Sequence, residues 1–156
     1  MKILNSNINW DQYYIKLAQV VALKSKDPST KCGVVLVSQN NSVLGSGYNN
    51  FPRAVLDLEE RYNDRKEKYN FICHAEVSCI CNCAFNGVKT EGAKLYTNFG
   101  INVCHDCAKV LIQAGISEII GEKINEDFAS GRWCESFKYA NLLLEEAKVL
   151  RREIVM

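Results

Sequence analysis

The stretch Phe71-Ile72-Cys73-His74-Ala75-Glu76 sets a histidine and a glutamate two residues apart at the head of residues 73–85, where apolar side chains recur at 75, 77, 79, 80, 81, 83, 84 and 85. That density exceeds a surface stripe, so the pattern predicts a helix packed deeply against a sheet and ended by Asn86-Gly87. A counterpart lies downstream. Cys104-His105-Asp106-Cys107 supplies two thiols at metal-chelating spacing.

Working outward, residues 10–24 carry Trp10, Tyr14, Leu17, Val20, Val21 and Leu23 at roughly helical period, with Asn9 or Asp11 available near the start. The turn formers Ser25-Lys26-Asp27-Pro28-Ser29-Thr30 end that helix. Residues 32–38 form a nearly continuous β-branched run, suited to a strand buried on both faces. Gln39-Asn40-Asn41 turns the chain back into a strand over 42–48, and Asn49-Asn50-Phe51-Pro52-Arg53 is a loop. Further strands are predicted at 94–97, 117–120 and 149–154, with helices at 104–114 and 132–147. A hairpin followed by strands alternating with helices predicts an α/β sandwich with a mixed sheet. Residues 57–68 mix both charges densely and read as a solvated helix or loop face, with Arg61, Arg65 and Lys68 as candidate phosphate contacts.

A length of 156 residues suits one domain, 1–156, with a core of its own. Apolar residues make up 47% and charged residues 24%, the balance of a globular chain. The net charge is +1 and no Lys/Arg block occurs, which argues against a nucleic-acid partner and for a small substrate. Eight cysteines would make a disulfide framework in a secreted mini-protein. The N-terminus Met1-Lys2-Ile3-Leu4-Asn5-Ser6-Asn7 lacks the apolar core of a signal peptide, however, and no segment is long enough to span a membrane. Reducing cytoplasm is the expected compartment, where thiols serve as small hydrophobes, metal ligands or nucleophiles.

A Cys-x-x-Cys at a helix start puts both sulfurs on one side of the first turn, where backbone N–H groups and the helix dipole favour thiolate. Cys104, Cys107 and His74 give three protein ligands, the count of a catalytic zinc site whose fourth position is left to water. Zinc lowers the pKa of such water toward 7, and Glu76 sits where it can carry the proton without coordinating. His105, inside the Cys-x-x-Cys, is expected to point away from the metal. Cys79, Cys81 and Cys83 cannot chelate together, because helix positions two apart face nearly opposite ways, and they read as core. Cys32, Cys73 and Cys134 are not expected to build a second zinc site.

His-x-Glu followed by Cys-x-x-Cys is the signature of zinc-dependent deaminases. With Trp10-Asp11, Ser25-Lys26-Asp27-Pro28 and Thr30, Gly47-Tyr48-Asn49, Phe51-Pro52-Arg53, Lys68-Tyr69, Cys104-x-x-Cys107-Ala108-Lys109 and Gln113-Ala114-Gly115-Ile116, most of the chain resembles the deoxycytidylate (dCMP) deaminase family of the cytidine deaminase-like superfamily. The resemblance implies a three-layer α-β-α sandwich with a five-stranded mixed sheet. It implies a hydrolase that turns dCMP into dUMP and ammonia with one zinc ion per subunit, ligated by His74, Cys104 and Cys107 and served by Glu76 as proton shuttle. Asn49 would contact the sugar, and Arg53, Phe71, Ala75, Thr97 and Val103 are the further candidate substrate contacts. Homo-oligomers, hexameric in many members, with a dimer as the smaller alternative, belong to the same expectation.

The chain also departs from the family pattern. Val103 stands where a proline precedes the first zinc cysteine, and the segment Thr97-Asn98-Phe99-Gly100-Ile101-Asn102-Val103 is about two residues longer than usual. Loss of proline permits another backbone path beside the base, which would accommodate a 5-substituted dCMP. Asn50, Ala54 and Ser78-Cys79-Ile80 replace residues tied to the family's regulatory nucleotide site, which argues against control by dCTP and dTTP. Two other functions compete: a base deaminase for single-stranded nucleic acid, disfavoured by the absence of a basic, aromatic groove, and a catalytically silent zinc module, disfavoured by retention of Glu76.

Overall fold

The computed structural model describes residues 5–123, 131 and 133–156. Strand β1 (Gly33–Val37) is buried along its whole length. Its β-branched run offers no polar face, so it must be covered on both sides. It lies in a five-stranded sheet of order β2-β1-β3-β4-β5, where β2 is Val43–Tyr48, β3 Lys94–Thr97, β4 Glu118–Glu122 and β5 Leu150–Ile154. β1 pairs antiparallel with β2 and β3, while β3, β4 and β5 run parallel, the mixed sheet that the sequence pattern predicts.

Alternate residues of β1 feed two cores. Val35 and Val37 join Tyr96 and Ile120 beneath Tyr14, Ile15 and Ala18 of helix α1 (Trp10–Ala22). Val34 and Leu36 join Leu95 and Ile119 against Cys79, Cys83, Cys107, Leu111 and Leu144. Those partners come from α4 (Ala75–Phe85), α5 (His105–Gln113) and α6 (Cys134–Glu146), so helices cover both faces and the layers are α-β-α. Burying each large aliphatic side chain is worth about 1.5–3 kcal/mol. Asn9 caps α1, accepting the Gln12 backbone N–H at 2.9 Å, and the Gln12 side chain accepts the Asn9 N–H in return.

Several elements differ from the expectation. Helix α4 begins at Ala75 rather than Cys73, because Cys73 is extended and exchanges backbone hydrogen bonds with Asn50 at 2.8 and 3.1 Å. Only one side of α4 is buried, through Ala75, Glu76, Cys79 and Cys83, while Phe85 is exposed. Cys81 is exposed too and does not belong to the core, since it lies about 200° around the helix from Cys79 and Cys83. The charged stretch folds as two short helices, α2 (Glu59–Asn63) and α3 (Arg65–Phe71), parted at the extended Asp64, whose carboxylate accepts the Glu67 N–H at 2.9 Å. The last helix starts at Cys134; Arg132, predicted within it, lies outside the described residues. Among the described residues no helix is long and apolar enough to cross a membrane.

Helix α4 is seated on β2 through Gly47, where a β-carbon would fall inside the backbone of Ala75 and Cys79. The seat fixes the turn carrying His74 and Glu76. Gly47→Ala is expected to lose about 2 kcal/mol of stability, an overpacking effect, read by denaturant unfolding; unchanged stability would show that α4 does not need this close approach.

Candidate active site

Both halves of the predicted metal cluster are helix caps. His74 is the extended N-cap of α4, and Cys104 the extended N-cap of α5, its Sγ accepting the Cys107 backbone N–H at 3.4 Å. Because α4 and α5 pack on the same face of the sheet, their N-terminal ends meet. His74 Nδ1 lies 3.4 Å from Cys104 Sγ and 3.4 Å from Cys107 Sγ, and the three donor atoms fall within 4.8 Å of one another. Bonds of ~2.3 Å to sulfur and ~2.0 Å to nitrogen in a tetrahedron put neighbouring donors about 3.6 Å apart. The donor set therefore fits zinc in both element preference and spacing.

The electrostatics favour thiolate at the N-cap. The neighbouring Cys107 thiol, and then His74, draw the Cys104 pKa down to about 4. Cys107 is pushed up by the same contact with Cys104 and by burial. The Cys104 contact also raises His74. Glu76 is buried on the first turn of α4, and burial raises its pKa. A carboxyl so placed holds a proton more readily than an exposed one.

His74, Glu76 and Cys104 open onto a cleft of about 540 Å³. Of the other residues singled out from the sequence, Asn49, Ala75, Arg65 and Lys68 line it. Thr97 and Val103 do not. Both are buried, Val103 in the core against α5 and Thr97 with its hydroxyl donating to the Gly100 carbonyl. Phe71, Arg53 and Arg61 lie away from the lining. Phe71 packs on Phe51 with the Arg61 guanidinium over its ring, and Arg53 stacks on Phe85 and donates to Asn82. As the last residue of α3, Phe71 turns toward Phe51 in the loop after β2, and its neighbour Ile72 reaches the cleft instead. His105 points off the metal cluster, its ring Nδ1 2.8 Å from the Ser136 hydroxyl.

Phe99 and Asn102, from the segment expected beside the base, line the cleft, as do Asp27 of the Ser-Lys-Asp-Pro turn and Cys32; sequence reasoning missed Trp133 and Phe137, which line it too. The Trp133 ring stands edge-on to His74 at 5.9 Å and stacks on Phe137 at 6.3 Å. No residue pattern marked these two, since helix α6 reads as an ordinary amphipathic segment.

The model of the cytidine and deoxycytidylate deaminase zinc-binding region matches residues 8–122. The chain belongs to this family. Deoxycytidylate deaminases of Pongo abelii and Homo sapiens are each 32% identical to it over 155 residues, spanning 95% of this chain and 81% of theirs. A crystal structure of the dCMP deaminase from the cyanophage S-TIM5, in complex with dCMP and dUMP, shares the fold at a TM-score of 0.69 and 21% identity, covering 92% of this chain and 95% of that one. In this deaminase-family chain the matched region ends with β4, so Trp133 and Phe137 reach the cleft from outside it. Ala54 holds φ 63°, a left-handed backbone that ordinarily favours glycine. Asn50 is tied down, its Oδ1 accepting from the Ser78 hydroxyl at 2.8 Å.

Removing one sulfur leaves two donors, too few for a stable zinc site. Cys104→Ala and Cys107→Ala are expected to purify with under ~10% of the metal that the parent protein carries, whereas Cys81→Ala should keep it all. Elemental analysis decides the point, and full occupancy in either of the first two variants would remove that residue from the ligand set.

Proposed function

We propose that this chain hydrolyses the 4-amino group of dCMP, giving dUMP and ammonia. The observation that carries the reading is the clustering of His74, Cys104 and Cys107 where His74, Cys104 and the buried carboxyl of Glu76 open onto one cleft. Zinc held by those three residues would supply a Lewis acid that brings the pKa of water near 7. Glu76 accepts the proton that the attacking water gives up. It then passes that proton to the ring nitrogen and serves the departing amine, so that one C–O bond forms at C4, one C–N bond breaks and one water is consumed. Its raised pKa suits this two-way traffic. Asn49 and Ala75 border the substrate, and Lys68 with Arg65 offers positive charge to a 5′-phosphate. The relatives named deoxycytidylate deaminase, and the cyanophage enzyme's complex with dCMP and dUMP, support the choice of nucleotide. A cytoplasmic homo-oligomer with no nucleic-acid partner belongs to the same reading.

A second reading, a 5-substituted dCMP as the preferred substrate, draws on Phe99 and Asn102, which the lengthened segment brings to the cleft. Loss of ultraviolet absorbance from dCMP, 5-substituted dCMP, CMP, deoxycytidine and a cytosine-containing oligonucleotide ranks the substrates. Glu76→Gln is expected to lose at least ~100-fold in kcat while keeping zinc. Residual activity equal to the parent's would overturn the mechanism, and no turnover of any compound would overturn the activity itself.

A further inference from the structure

The Ser25–Thr30 turn places a second buried carboxylate beside the cleft, with no part in the proton chemistry. Asp27 is 5% exposed, and both of its oxygens accept hydrogen bonds. Oδ1 accepts the Ser29 N–H at 2.8 Å, the Thr30 N–H at 3.3 Å and the Lys68 ammonium at 3.0 Å. Oδ2 accepts the Asn49 side-chain amide at 3.3 Å. One carboxylate thus gathers the turn, the end of β2 and helix α3. Every one of those partners lines the cleft.

The hydrogen-bond inventory of the two side chains shows what the arrangement leaves for a ligand. Asn49 spends both amide hydrogens, one on Asp27 and one on the Thr30 carbonyl at 2.9 Å, while its Oδ1 accepts the Cys32 N–H at 2.8 Å. Only a lone pair of Oδ1 remains, so Asn49 can meet a ligand solely as acceptor, the match for a hydroxyl that donates. Lys68 gives one hydrogen to Asp27 and one, at 3.4 Å, to the Ser29 hydroxyl, which leaves a third for an acceptor. Its side chain is only 6% exposed, so without Asp27 the ammonium would be a buried charge lacking its counter-ion.

We infer that Asp27 is a positioning residue for the sugar and phosphate end of the substrate: it fixes Asn49 as a pure acceptor and presents the remaining N–H of Lys68 to the cleft. Asp27 acts through these two and does not itself meet the reacting atoms. The inference rests on the proposed activity on a cytosine nucleotide, and the two fail differently, one in the parent protein and the other only in the variants.

The test uses zinc-loaded protein. Asp27→Asn keeps the shape but turns one acceptor into a donor, aimed either at Asn49 or at the turn N–H groups and Lys68. KM for dCMP is expected to rise ~10- to 100-fold, the value of one or two hydrogen bonds to a charged group, with kcat within about threefold of the parent. Asp27→Glu keeps the charge and the ion pair but moves the carboxylate outward by one methylene. It is expected to fold like the parent and still raise KM at least ~5-fold. Calorimetric Kd for the product dUMP, which needs no turnover, should weaken in parallel. A purely structural role would instead lower the zinc-loaded active fraction and kcat together, leaving KM and Kd alone. That result in both variants, or an unchanged dUMP Kd, overturns the inference.

Discussion

The arrangement of the site depends on two helix beginnings being forced together. α4 and α5 lie on one face of the sheet, and each is preceded by an extended residue whose side chain is a metal-type donor. The positive end of each helix dipole then faces the same small volume. That field adds to the hydrogen bonds from Cys107 and His74, which draw Cys104 well below an ordinary thiol before any cation arrives. Sheet order enforces the meeting. β1 and β3 are neighbours, β2 carries α4 through the close contact at Gly47, and β3 leads directly into the segment that starts α5.

Much of this was legible in the chain. The β-branched run of β1 announced a strand buried on both faces, and His74, Glu76, Cys104 and Cys107 announced themselves by spacing, because metal chelation restricts residue types and intervals. What spacing cannot convey is direction. Phe71 lies three residues before His74, yet its ring turns to Phe51. Lys68 sits in a run of charges that reads as solvated, and its burial comes from an aspartate 41 residues away. The break between α2 and α3 did leave a trace, since Asp64 stands three residues before Glu67 in the manner of a cap. Trp133 and Phe137 left none, for an aromatic residue on an amphipathic helix looks the same whether it faces core or cleft.

The polar network around Asp27 bears on stability as well as on the cleft. A buried ion pair is worth little against apolar residues of the same size, yet breaking one by removing a single partner costs about 3–5 kcal/mol. Lys68 and Asp27 therefore guard each other, and the turn before β1 is tied to helix α3 through them. This explains how a loop rich in Ser, Asp and Thr can form a rigid wall. Cys32 lines the same cleft, its thiol pushed up to about 12 by burial and by the charges of Glu76 and Asp27. Such a shift favours the neutral thiol over the thiolate.

The segment from Thr97 to Val103 is pinned at both ends and open to the cleft between them. Thr97 is fixed by its bond to Gly100, and Val103 is sunk in the core beside the helix that bears the two sulfurs. Phe99 and Asn102, between those anchors, are the residues that meet the cleft. Mutations there can change what is accepted without disturbing how the metal donors are held. The cleft-facing residues and the metal donors thus sit on separately anchored stretches of the chain. A change of length, ruinous within either helix cap, could be absorbed in this interval as a new shape for the mouth of the site.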